Sequence, residues 1–181
     1  MRRTLVFVLC LISSACVYVP GPGPYPYSNQ STGNNLDDSS DSYQDLNDVP
    51  EIPVPGLPDI AISSLQPNGQ PVIYFNPMLV AQAGPYITKY TKMHEYGHIM
   101  LGHLQKQYYE RYFMTNPYSQ MWTNHTRELE ADCWATEHLT EDPAAIRSAI
   151  NLFQSQGMFQ ASPNHPPGIA RAQKIMECSK E

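Results

Sequence analysis

Basic charge is scarce. Eleven Lys and Arg face seventeen Asp and Glu in 181 residues, and the basic residues form no stripe, which excludes a chain built to grip nucleic acid. The apolar run from Leu5 to Ile12 is far shorter than the roughly 20 residues that span a bilayer. No two of the four cysteines are spaced Cys-x-x-Cys, which excludes a zinc site built from cysteine pairs. No internal repeat is visible, which excludes a solenoid or propeller. Aliphatic residues are thin from Val17 to Pro58, so that stretch cannot bury enough apolar surface to offset its ordering entropy.

The opening residues have the order of an export signal: Arg2 and Arg3, the short apolar run, then Ser13-Ser14-Ala15 before Cys16. Removal of residues 1–15 takes Arg2 and Arg3 and no acid, leaving nine basic against seventeen acidic residues and a net charge of −8 with histidines neutral. Ser13-Ser14-Ala15-Cys16 resembles the lipobox of bacterial lipoproteins, with Ser13 where leucine is usual. The resemblance implies a lipid on Cys16, and Val17 rather than Asp implies sorting to the outer membrane. Residues 16–58, rich in Pro, Gly, Ser, Asn and Asp, are expected to form a disordered tether. Residues 59–181 are then one small folded domain. Cys133 and Cys178 are the cysteines of that domain, and an oxidising compartment leaves two readings open, a disulfide or two buried thiols.

Asp59 to Leu65 and Pro71 to Asn76 are short β-type runs separated by a segment containing Asn68-Gly69, which predicts a hairpin. Pro71 predicts that the second strand starts there or lies at a sheet edge. An edge strand could take up an extended peptide by main-chain pairing. Asn76-Pro77 opens a short helix ended by Gly84-Pro85. Apolar positions from Ile87 to Tyr108 then recur every three or four residues, predicting one long helix. Thr126 is a candidate cap for a second helix to Leu139. Asp142-Pro143 opens a third that Gly157 closes, and a last helix runs from about Gly168 to Cys178. The fold class expected is α+β, mostly helical, with a small hairpin or sheet and about four helices.

His94-Glu95-Tyr96-Gly97-His98 lies within the long helix. Histidines four apart share a helix face, so both imidazoles can reach one metal ion. A catalytic zinc keeps three protein ligands and one position for water, and Glu95 stands beside it as the candidate general base. Glu128 is the best candidate for the third ligand, with Asp132 one turn further along the same face, able to accept a hydrogen bond from a ligand imidazole. Glu130 is a rival, but in a helix it points nearly opposite Glu128. His125 and His138 are weaker rivals. His103, five residues past His98, is read as an exposed or packed histidine away from the metal face.

These blocks, together with His165-Pro166-Pro167 and Arg171, resemble the gluzincin metallopeptidases that include the CAAX prenyl protease, HtpX and BepA. The resemblance covers roughly residues 85–175. It implies a zincin-like minimal peptidase domain holding one zinc ion, with His94, His98 and Glu128 as ligands, Glu95 as general base and Asp132 in support. It also implies that His165 stabilises the developing oxyanion and that Arg171 organises the same region. The metzincin pattern does not fit, because Leu101 and Leu104 stand where its glycine and third histidine belong.

The function expected is therefore a zinc metalloendopeptidase of the bacterial envelope, exported to the periplasm and acting on protein or peptide. The alternative is a non-catalytic, zinc-stabilised lipoprotein module that binds an envelope partner. A site that only clips helices together needs no general base, and Glu95 weighs against it.

Overall fold

The computed structural model describes residues 48–113, 116–158 and 162–180. The expected export signal, Cys16 and the tether as far as residue 47 lie outside the described residues. The elements run β1 (Glu51–Pro53), β2 (Ala61–Leu65), β3 (Pro71–Phe75), α1 (Pro77–Met100), α2 (His103–Phe113), α3 (Pro117–Glu137), α4 (Pro143–Gln156) and α5 (Gly168–Cys178). The domain is α+β and mostly helical, with a three-stranded mixed sheet. Among the described residues no helix is long and apolar enough to cross a membrane.

The predicted hairpin is present, β2 lying antiparallel to β3 with Leu65 opposite Pro71. The edge position is not. The strand order is β1-β3-β2, so β3 is the middle strand. β1 pairs parallel to it, with Glu51 opposite Ile73 and Pro53 opposite Phe75. Pro71 is tolerated because it opens the strand. β1 also moves the start of the folded domain earlier than residue 59: Glu51 is bound by Lys92 Nζ and by Tyr96 Oη, both on α1, and Val49 is buried. Tertiary contacts of this kind hold a segment whose own composition favours disorder.

Two helices begin with the same device. The side chains of Asn76 and Asn116 accept hydrogen bonds from the amides of the following helical turn, Met78 and Leu79 in one case, Tyr118 and Ser119 in the other. A proline occupies the first helical position in each. α3 therefore starts at Pro117, nine residues before the expected cap. Thr126 lies inside it, its hydroxyl bonded back to the Trp122 carbonyl at 2.9 Å. Asp142 and Pro143 open α4 as expected.

The long helix expected through Tyr108 is broken. Gly84, where the short first helix was expected to end, has non-helical backbone with φ 78° and kinks α1; α1 then ends at Met100, because Gly102 takes φ 67°, a left-handed conformation that turns the chain into α2. The described residues form five helices.

One core cluster joins α1, α3, α4 and α5 through residues such as Tyr90, Ala135, Phe153 and Ile175. The other joins the sheet to α1 and α2 through Ile73, Ile99 and Leu104. α1 belongs to both, and the polar side chains of its buried face, His94, Glu95 and His98, lie between them.

Candidate metal centre

Gly97 sets the spacing of the site. A Cβ at this position would stand 3.1 Å from the Ala131 carbonyl oxygen and 3.2 Å from its Cα, so α1 and α3 touch backbone to backbone there. This contact brings Glu128, one turn before Asp132 on α3, onto the histidine pair of α1.

Three donor groups converge. His94 Nε2 and His98 Nε2 are 3.1 Å apart, His98 Nε2 is 3.2 Å from Glu128 Oε1, and His94 Nε2 is 3.4 Å from Glu128 Oε2. Ligand atoms on a tetrahedral zinc with bonds of about 2.0–2.1 Å are separated by about 3.3 Å. Glu128 Oε2 is buried without a hydrogen bond, its charge faced by the Arg171 guanidinium at 3.6 Å, so the oxygen keeps a lone pair for a metal ion. The triad can bind a metal ion. Burial pushes the Glu128 carboxyl upward, but the two histidines outweigh it and hold it well below the usual carboxylate range.

Each imidazole is held from behind. His94 Nδ1 is 3.0 Å from Asp132 Oδ1, and Asp132 is gripped by Arg171 through Nε to Oδ2 and Nη2 to Oδ1, both at 2.7 Å. Tyr90 donates its hydroxyl to the Asp132 carbonyl at 3.1 Å and lies 3.3 Å from Oδ1. Burial works against a charge on the free His94 imidazole, Asp132 works for it, and the balance lies at about 9. His98 Nδ1 faces His103 Nδ1 at 3.0 Å, and His103 Nε2 faces Glu130 Oε2 at 3.1 Å. His103 is thus a buried neighbour of His98, because the turn at Gly102 folds it back against that ring. Burial, with the nearby His98 and Arg127, lowers its pKa to about 3 and keeps it neutral. Glu130 points away from the triad, as its helical phase requires, and finds His103.

Glu95 is 2 % exposed. Its Oε2 accepts from the Ser63 amide and the Ser63 hydroxyl, each at 2.7 Å. Across the hairpin Asn76 N donates to Ile60 O, so residues 60, 62 and 64 face β3 and the Ser63 amide points out from the sheet edge toward the site. Ser63 is a site residue that the sequence did not disclose, since a serine in a short strand carries no signal of what it will meet.

His165 Nε2 is 3.8 Å from Glu128 Oε1, and His165 is not among the donor atoms that lie within 4.8 Å of one another. Ser162 holds its turn, accepting at Oγ from the amides of Asn164 and His165 and meeting His165 Nδ1 at 3.2 Å. His125 fixes the same turn from α3, through the Ser162 carbonyl at 2.7 Å. Arg171 is directed at Asp132 and, at 3.6 Å, at Glu128 Oε2, so it braces the ligand set. His138 stacks on Trp134, with ring centroids 3.6 Å apart. Cys133 and Cys178 are joined in a disulfide between α3 and α5. A cleft beside the triad is lined by His98, His103, Leu104, Arg127, Glu128 and Asn164, among others.

Comparison with protein-family models, with curated proteins and with solved structures returns no match to this chain. The chemistry of the site is read from its own geometry.

Proposed function

We propose that this chain is a zinc-dependent metalloendopeptidase of the gluzincin kind, with a zincin-like domain, exported to a bacterial envelope and held there by a lipid on Cys16. The observation that carries the reading is the position of Glu95. A buried carboxylate, next in sequence to His94 of the triad that can hold a metal ion, is clamped by Ser63 of β2. A site serving only to join α1 and α3 has no use for it.

Zinc at His94, His98 and Glu128 would supply a polarised carbonyl and a water acidified to a pKa of about 7. Ser63 holds Oε2 of Glu95, which fixes the rotamer from which the carboxylate takes a proton and returns it to the leaving amine. Asp132, with Arg171 and Tyr90 behind it, fixes the His94 ring so that Nε2 faces the metal. The His165 imidazole, on its Ser162 turn beside Glu128, donates to the oxyanion as it develops.

The test is Glu95→Gln. Zinc content and unfolding midpoint should match wild type, while hydrolysis of an unfolded protein substrate falls at least a hundredfold, as for loss of a general base. Equal hydrolysis by variant and wild type, or none by a zinc-loaded wild type, would favour the non-catalytic module.

A further inference from the structure

We infer that His103 is a positioning residue for the metal ligand His98, anchored in turn by Glu130; this rests on the reading of His94, His98 and Glu128 as a zinc site. The proton positions follow from the contacts. His98 Nε2 faces the other two ligands, at 3.1 Å from His94 Nε2 and 3.2 Å from Glu128 Oε1. A nitrogen that binds a metal carries no proton, so the proton of a neutral His98 is on Nδ1. That N–H is directed at His103 Nδ1, 3.0 Å away, which must accept. The proton of His103 is then on Nε2, where Glu130 Oε2 accepts it at 3.1 Å.

Every donor in this chain meets an acceptor, and no other tautomer pair achieves that with a metal on His98 Nε2. The two ligand histidines are therefore backed differently. His94 leans on a fully buried carboxylate pinned by an arginine, whereas His98 leans on a neutral imidazole whose far end reaches a half-exposed carboxylate. His103 itself is 3 % exposed, and its ring stands edge-on to that of His98, centroids 5.1 Å apart. Its placement depends on the break in the helix. Five residues on along an unbroken α1, it would lie well round the helix from His98.

The full chain carrying His103→Leu, His103→Asn or Glu130→Ala tests this. Zinc affinity is measured by competition with a chelator, and the unfolding midpoint is measured on each metal-free protein. Leucine fills the slot without an acceptor, and zinc affinity should fall about 10–100-fold. Asparagine offers Oδ1 near the place of the imidazole Nδ1 and should restore most of that loss. Glu130→Ala should fall between wild type and His103→Leu. Metal-free midpoints should not follow this order, as they would if His103 only filled space. Wild-type affinity in His103→Leu, or equal losses in the leucine and asparagine variants, would overturn the role while leaving the zinc site intact. A wild-type chain that takes up no zinc would overturn both the role and the functional reading.

Discussion

Arg171 holds both carboxylate oxygens of Asp132, Nε on Oδ2 and Nη2 on Oδ1, each at 2.7 Å. The pair joins α5 to α3 directly behind His94. Asp132 is completely buried, Arg171 is 4 % exposed, and the guanidinium also lies 4.1 Å over the Phe153 ring of α4. The ligand set is thus braced from three helices through one arginine.

Arg171→Met keeps most of the side-chain volume and leaves the Asp132 carboxylate buried without its partner. The metal-free protein should lose about 3–5 kcal/mol at pH 7, measured by urea unfolding. The pH dependence has a definite sign. Burial raises the Asp132 pKa, but Arg171 outweighs it and the net shift is downward. The stability this group contributes is complete above its unfolded value of about 3.9 and is lost as pH falls through the lower folded value. In Arg171→Met that acid-side loss should flatten or reverse. An unaltered slope below pH 4 would mean that Asp132 is held by His94 and Tyr90 alone.

Gly97→Val tests whether the contact between α1 and α3 sets the metal geometry. The new side chain would meet the Ala131 backbone, which can move only with the whole of α3. Overpacking of this kind should cost about 1–3 kcal/mol. Glu128 lies three residues before Ala131 and would be carried away from His94 and His98, so zinc affinity should fall together with stability. A stable variant with unchanged affinity would show that α3 can yield without disturbing its carboxylate.

Local rules carried the sequence reading as far as they apply. Asp142-Pro143, Asn68-Gly69 and the four-residue spacing of His94 and His98 act through their own neighbours, and the hairpin, α4 and the histidine pair are where those signals put them. The one-turn spacing of Glu128 and Asp132 was legible for the same reason, whereas their meeting with His94 and His98 is a contact between α3 and α1. The failures are tertiary. Glu51 to Pro53 has no strand pattern of its own and is ordered by β3, Lys92 and Tyr96. Gly102 weakens a helical period without revealing that it ends one, so the contact of His103 with His98 was hidden. Ser63 acquires its role from a carboxylate 32 residues away.

The Cys133–Cys178 bond resolves the two readings the sequence left open, and its position gives it a measurable consequence. It ties the residue after Asp132 on α3 to the last residue of α5, two turns beyond Arg171, across a separation of 45 residues. Closing a loop of that length removes about 4 kcal/mol of unfolded-state entropy, and native disulfides typically contribute about 2–5 kcal/mol. Cys133→Ser with Cys178→Ser should therefore lower unfolding stability by about 2–4 kcal/mol, and a reductant should bring wild type down to the same value. Zinc affinity should persist in the double variant, because Arg171 on Asp132 and the buried Ala172 and Ile175 still hold α5 to α3. Loss of zinc on reduction, at a temperature where the chain stays folded, would instead make the covalent link the main brace behind His94.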